Sequence, residues 1–272
     1  MENSIIRKAI FSNNKVISIE EHNSNSGNSN GKEYYIRVIT EVNNQSKSFS
    51  CKINCEPYDV VEDSNYIIIG GNNIIELYNF NQNNNGQIAK ISEVILDNNS
   101  NNNNNDIYKV LCIEKTNKYL ICGHSLGYIS KWVTIQNSPF LENIKTCRIH
   151  VNSINKLLVD TIENREVIIS CSSDRTLKVH SLVDFVCFKV LDFDEEVVDA
   201  KKVINHNNQT NYFINIRNGN LMLYDSSFSK VLVDVNNESK ISRQFTCLNY
   251  SKDNAYNNFN INVNNNDNSN AN

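Results

Sequence analysis

His150, Ser170 and Asp174 supply the three residue types of a Ser-His-Asp relay, in which a base takes the hydroxyl proton and a carboxylate holds the base. Such a relay also needs donors for the oxyanion, and no motif around Ser170 provides them, so no catalytic residue is assigned. Cys51 and Cys55 form a C-x3-C pair, but no second ligand pair follows at zinc spacing, and no metal site is expected. Gly123 and Gly127 lack the helix and the Gly-Lys-Ser/Thr of a phosphate loop. His124, beside them, reads as a satisfied polar residue near a turn. The acidic run from Asp192 to Glu196 reads as a solvated loop. No cofactor is implied by any of these groups.

The elements that must position these residues are short strands. No segment sustains a helical period, and with 2 prolines in 272 residues the turns fall to Asn and Gly. Residues 168–181 read as strand, tight Ser-Asp-Arg turn and strand. Five segments share a pattern of apolar, any, apolar and large: Ile36 to Ile39, Ile75 to Tyr78, Ile129 to Trp132, Leu177 to His180 and Leu221 to Tyr224. Lys131 breaks the pattern in the third. Their last residues lie about 39, 54, 48 and 44 positions apart, near a 40–45-residue blade period, and the tract 97–106 accounts for the longest interval.

These repeats resemble a divergent WD40-repeat β-propeller. The resemblance covers residues 1–250 and implies an all-β chain of five four-stranded blades, about 1–52, 56–96, 107–148, 151–191 and 196–235. A degenerate or incomplete sixth is expected at 243–263, and an Asn-rich disordered tail at 254–272. In the fourth blade His150, Ser170 and Asp174 match the family's structural hydrogen-bond positions, with His180 where the family places Trp. The resemblance therefore implies a buried network of His150, Ser170, Asp174 and His180. Tyr78, Trp132 and Tyr224 keep the blade-end ring, and their regular placement suggests blade-to-blade packing rather than a ligand cage. Asn152, Ser153, Ser173 and Arg175 are expected together on one loop face, the candidate partner-binding surface.

Composition narrows the classes further. Net charge is −4 and the isoelectric point about 5.8, which disfavours binding to a nucleic-acid backbone. Lys145, Arg148 and Lys156 read as a solvated basic cluster. Residues 1–8 lack the apolar core of a secretory signal, and no run is long enough to span a bilayer. An intracellular protein, cytoplasmic or nuclear, is expected, with seven of its 8 cysteines acting as small buried hydrophobes. Asn is about a fifth of the chain, in tracts at 22–31, 81–87, 97–106 and 254–272 that mark loops and a terminus.

The expectation for function is a non-catalytic protein-interaction scaffold or adaptor acting in a multiprotein complex. Its partners are other proteins, including a chain that could complete the ring by strand addition. The alternatives are a hydrolase-like propeller enzyme and a ubiquitin-ligase substrate receptor. The second would place a basic residue soon after the blade-ending pair, which Tyr224-Asp225-Ser226-Ser227 lacks.

Overall fold

Runs such as Ile67-Ile68-Ile69 and Val167-Ile168-Ile169 are β-branched and buried on both faces, which favours central strands of stacked sheets. The computed structural model describes residues 4–12, 14–23, 31–42, 45–63, 66–81, 87–96, 108–134 and 141–235. Among them, twenty strands form five antiparallel four-stranded sheets, each with its strands side by side in chain order. The first sheet contains β1 (Ser4–Ser12), β2 (Lys15–Asn23), β3 (Lys32–Val42) and β4 (Gln45–Ile53). The second contains β5 (Pro57–Asp63), β6 (Tyr66–Gly71), β7 (Ile74–Asn81) and β8 (Gln87–Ile95). The third contains β9 (Val110–Lys115), β10 (Tyr119–His124), β11 (Tyr128–Thr134) and β12 (Leu141–Arg148). The fourth contains β13 (Ile154–Ile162), β14 (Arg165–Ser172), β15 (Thr176–Ser181) and β16 (Cys187–Asp192). The fifth contains β17 (Val197–Ile204), β18 (Thr210–Ile216), β19 (Leu221–Asp225) and β20 (Val231–Val235). The five patterned segments of the sequence are the third strands of these sheets. The sixth-blade fragment at 243–263 and the tail at 254–272 lie outside the described residues, as does most of the internal Asn tracts.

The first strands are the inner ones: β5 packs against β1 and β9, and β13 against β9 and β17. Each carries a register shift near its start, at Arg7, Tyr58, Leu111, Asn155 and Val198. A bulge of this kind adds one unpaired residue and re-aims the next side chain. The residues so placed are Lys8, Asp59, Cys112, Lys156 and Asp199. Asp59 receives the Ile113 amide at 2.8 Å and pairs with Lys8, and Asn155 reaches the Val197 carbonyl at 2.9 Å, so polar side chains stitch neighbouring inner strands.

The core is divided among the sheet-to-sheet interfaces. One hydrophobic cluster joins the first and second sheets, another the second and third, a third the third and fourth, and the last the fourth and fifth. Tyr78, Trp132 and Tyr224 each lie in one of these clusters.

Lys131, the misfit of the repeat pattern, explains itself here. Its side chain is buried, and Nζ donates to the carbonyls of Leu182 (3.1 Å) and Val183 (2.7 Å), over the rings of Tyr119 and Phe185. Lys145 donates to the Asp184 carbonyl at 2.6 Å, and Lys189 of the fourth sheet donates to the Ser227 carbonyl at 3.1 Å and the Ser229 hydroxyl at 3.2 Å in the fifth. These lysines clasp the 182–184 and 227–229 turns of the following sheets. Replacing Lys131 by methionine keeps the stem but orphans two carbonyls, and should lower stability by about 1–3 kcal/mol in chemical denaturation.

Two expectations are corrected. Lys145 and Arg148 are exposed as expected, but Lys156 leaves the basic cluster and stands among carboxylates on an inner strand. The cysteines are less uniformly buried than their apolar neighbours suggested: Cys112, Cys122 and Cys171 are buried, Cys51, Cys55 and Cys147 half-buried, and Cys187 exposed. Cys187 sits on an outer strand whose free edge meets water, a position that local hydrophobicity does not encode. All seven described cysteines are free.

Candidate functional site

The fourth sheet assembles its polar centre from three pieces of chain. The loop before β13 brings His150, β14 brings Ser170, and the tight turn between β14 and β15 brings Asp174. His150 Nδ1 lies 2.9 Å from an Asp174 carboxylate oxygen and Nε2 lies 2.8 Å from Ser170 Oγ. The same Asp174 oxygen accepts the Val151 amide at 2.9 Å, while its other oxygen accepts the Thr176 hydroxyl at 2.6 Å and amide at 3.1 Å. Arg175 closes the turn in the left-handed region at φ 69°. The matching turn residues of the second, third and fifth sheets, Asn73, Gly127 and Gly219, share that conformation. Asn and Gly adopt it readily, whereas an Arg there has to be held by the turn hydrogen bonds around it.

The electrostatics follow from burial. Burial pushes His150 down to about 4, against the pull of Asp174, so the ring is neutral at pH 7. Burial also works against the Asp174 charge, but the bonds from Thr176, Val151 and His150 prevail and hold its pKa at about 2. A neutral ring that donates from Nδ1 to this carboxylate accepts at Nε2 from Ser170. That is the hydrogen-bond order of a hydrolase relay, but Ser170 is 0% and His150 2% exposed. A substrate carbonyl cannot reach a hydroxyl so enclosed. The arrangement therefore locks a loop to a strand and a turn.

His180 does not join this network. Its Nδ1 faces the Phe185 carbonyl at 3.2 Å, and Nε2 is buried without a hydrogen-bond partner among the described residues. Ser170 Oγ meets His150 Nε2 at 2.8 Å and the Lys178 carbonyl at 3.4 Å.

The blade-end rings share one device that the repeat pattern did not disclose. Each directs its polar atom at the residue two positions earlier, on the same face of the strand. Tyr78 Oη lies 2.9 Å from Glu76, Trp132 Nε1 lies 2.7 Å from Ser130 Oγ, and Tyr224 Oη lies 3.9 Å from the Met222 sulfur. In the third sheet Ser130 also meets Nε2 of His124 at 2.7 Å, with Tyr108 stacked on the imidazole at 4.4 Å. His124 is fully buried, its Nδ1 lacks a partner among the described residues, and burial pushes it down to about 3. It is thus a core histidine at the strand end beside the 125–127 turn, with one ring nitrogen paired and the other not. The i, i+2 spacing of Ser130 and Trp132 was the sequence signal that could have found this second polar centre.

Asn152, Ser153, Ser173 and Arg175 fall on one surface. Ser153 Oγ and Ser173 Oγ are 3.0 Å apart, the Ser173 amide donates to the Ser153 carbonyl at 3.0 Å, and Ser172 Oγ donates to the Asn152 carbonyl at 3.3 Å. Asn152 and Arg175 are exposed there, beside Val151, which is 77% exposed. Arg148 is held against this loop by bonds to the carbonyls of His150 and Val151. Among the described residues no group of three or more His, Cys, Asp or Glu converges as a metal ion would require. Among the described residues no helix is long and apolar enough to cross a membrane.

Comparison with known proteins supplies a fold. No protein-family profile matches the chain, and neither does any curated protein. Among solved structures it is similar to the WD40 β-propeller domain of Doa1, with a TM-score of 0.56 at 14% identity over 86% of this chain and 69% of that one. It is also similar to Sqt1 of Saccharomyces cerevisiae, with a TM-score of 0.57 at 9% identity over 82% of this chain. It spans 59% of that protein's length. Five antiparallel four-stranded sheets with their first strands innermost agree with these likenesses: the chain has the fold of a WD40 β-propeller.

Proposed function

We propose that this chain is a non-catalytic scaffold that captures other proteins, working inside the cell as part of a multiprotein complex. The observation that carries the reading is the surface formed by Val151, Asn152, Ser153, Ser173 and Arg175. There a rigid hydrogen-bonded frame presents an exposed valine and an exposed arginine. Rigid frames with apolar and Arg anchors suit protein capture, because little order must be imposed on binding. The enclosure of Ser170 and His150 weighs against the hydrolytic alternative at this site. A second exposed surface is consistent with the same class of function. Phe11 and Ile39 are 64% and 38% exposed on the first sheet, so a partner chain could add strands against it.

The test removes side chains without touching the frame's backbone. Ser173→Ala combined with Arg175→Ala should reduce partner recovery in quantitative affinity purification by about tenfold, the loss of one central anchor. Thermal unfolding should shift by no more than about 3 °C. Full recovery of the same partners by the double variant would show that this surface is not the docking site.

A further inference from the structure

The linker from the third sheet to the fourth is held by cations. Its successive carbonyls at Ile149, His150 and Val151 accept from Lys178 Nζ at 2.7 Å, Arg148 Nε at 3.2 Å and Arg148 Nη2 at 2.8 Å. Arg175 joins them through its neighbour Asp174, which holds the Val151 amide. Among the described residues neither arginine nor Lys178 has a carboxylate within ion-pair distance. Both Asp174 oxygens are taken by His150, Val151 and Thr176, and Glu196 pairs with Arg217. The acidic run that begins at Asp192 adjoins Arg175 through the backbone, the Phe193 amide donating to the Arg175 carbonyl at 2.9 Å, without an ion pair to the guanidinium.

Two further observations point to a ligand for this charge. Arg175 keeps φ 69° at a turn position that the second, third and fifth sheets give to Asn73, Gly127 and Gly219. An arginine costs more than either type there, and strain kept at an exposed turn points to use of the side chain. Its guanidinium makes no hydrogen bond among the described residues, so the planar fork is open to a carboxylate, which it can grip through two N–H donors. Apolar surface adjoins the charge. Val151 is 77% exposed, and Val190, directly opposite Lys178 on β16, is 46% exposed. A nucleic-acid backbone would leave these valines uncovered, and the net charge of −4 repels it at range.

We propose that the partner presents an acidic peptide segment to this surface, with carboxylates over Arg175, Arg148 and Lys178 and an apolar side chain against Val151. The proposal rests on docking at the Arg175 frame and names the chemistry of what docks there. Cations gathered around one loop steer an anionic segment toward the frame and disfavour a cationic one. Arg148 and Lys178, already tied to carbonyls, lose little freedom when a carboxylate arrives.

Fluorescence anisotropy of the full-length protein with a labelled peptide of Glu-Glu-Leu repeats tests it, beside Gln-Gln-Leu and Lys-Lys-Leu repeats of equal length. The acidic peptide should bind ~tenfold more tightly than the glutamine peptide, and lose about tenfold in affinity as salt rises from about 50 to about 500 mM. Arg175→Asn, whose side chain suits the left-handed turn as Asn73 does, should weaken it by ~tenfold. Lys47→Glu, a larger charge change at an exposed position of β4, should leave it within about twofold. Equal binding of the acidic and glutamine peptides, preference for the lysine peptide, or indifference to Arg175→Asn overturns the proposal. So does tighter, Arg175-dependent binding of a single-stranded oligonucleotide, which would make the ligand a nucleic acid. Loss of cellular partners from the Ser173→Ala, Arg175→Ala variant alongside equal peptide binding would fault the acidic chemistry alone. Full partner recovery by that variant would instead remove the docking site, and this proposal with it.

Discussion

Replacing Glu114 by glutamine should stabilise the protein by roughly 2–3 kcal/mol at pH 8 and leave it unchanged at pH 4, as measured by urea denaturation across pH. Glu114 lies on β9 with Lys156, Asp59 and Lys8 around it, and burial raises its pKa from 4.5 to about 7, with Lys156 opposing. A carboxyl with a raised folded pKa binds its proton more tightly in the native state. Its ionisation therefore costs stability as pH rises from 4.5 to 7, and the full cost remains above that window. Each tenfold gain in proton affinity is worth about 1.4 kcal/mol, which water reaching this half-buried group reduces somewhat. Asp199, raised by its own burial, acts in the same direction.

With Glu114 neutralised, the histidines set the acid limb. His124 and His150, held near 3 and 4 by burial, bind protons more readily when unfolded. Their depressed values mean that stability present above pH 6.5 is lost as pH falls toward 4, by roughly 3 kcal/mol for each ring. In wild-type protein the relief at Glu114 offsets part of that loss. The Glu114→Gln variant should therefore show the steeper fall between pH 6.5 and 4. Parallel pH profiles for the two proteins would mean that Glu114 is not held in its neutral form.

Gly123→Val should be the most damaging single substitution between the third and fourth sheets. A Cβ at Gly123 would lie 2.6 Å from Cys112 Sγ and 2.8 Å from Ile154 Cγ2, far inside contact distance. Gly70 stands in the matching position of the second sheet, 2.5 Å from Val110 Cγ1. Both glycines let the end of a second strand approach the next inner strand, and an added side chain must push two sheets apart. Overpacking of this kind costs typically 1–3 kcal/mol, and valine's second branch brings the expected loss to about 3 kcal/mol or more in thermal or chemical denaturation. Ile154→Ala in the same chain should recover part of it, so that the two losses sum to more than the double variant shows. Additive losses would place the strain elsewhere.

The third strands were legible because their apolar pairs recur at blade spacing and end in large side chains, which sterics and burial reward in any sheet context. His150, Ser170 and Asp174 were legible as a group through the repeat resemblance, which implies that all three are hydrogen-bonded, and the tight turn brings the acid close to the ring. His180 was misplaced because a sequence states residue type but not reach. Lys131 read as a flaw in the repeat, since nothing local shows that two carbonyls of the next sheet await a donor. The inner-strand residues Lys8, Asp59, Lys156 and Asp199 could not be aligned from sequence at all. Their equivalence depends on bulges, and a bulge shifts register by one residue without a distinctive composition. Cys187 illustrates the same limit at the outer edge, where apolar neighbours occur on a strand that faces water.

Capture of other proteins by the exposed frame around Arg175 is the proposal on which the functional reading rests. Its most direct test is the native mass of the protein, tagged at its own locus and released gently from cells. The account predicts a particle heavier than the 31.1 kDa chain, containing a stoichiometric second protein that is lost from the Ser173→Ala, Arg175→Ala variant. A lone chain of 31.1 kDa under conditions that preserve weak complexes would contradict it.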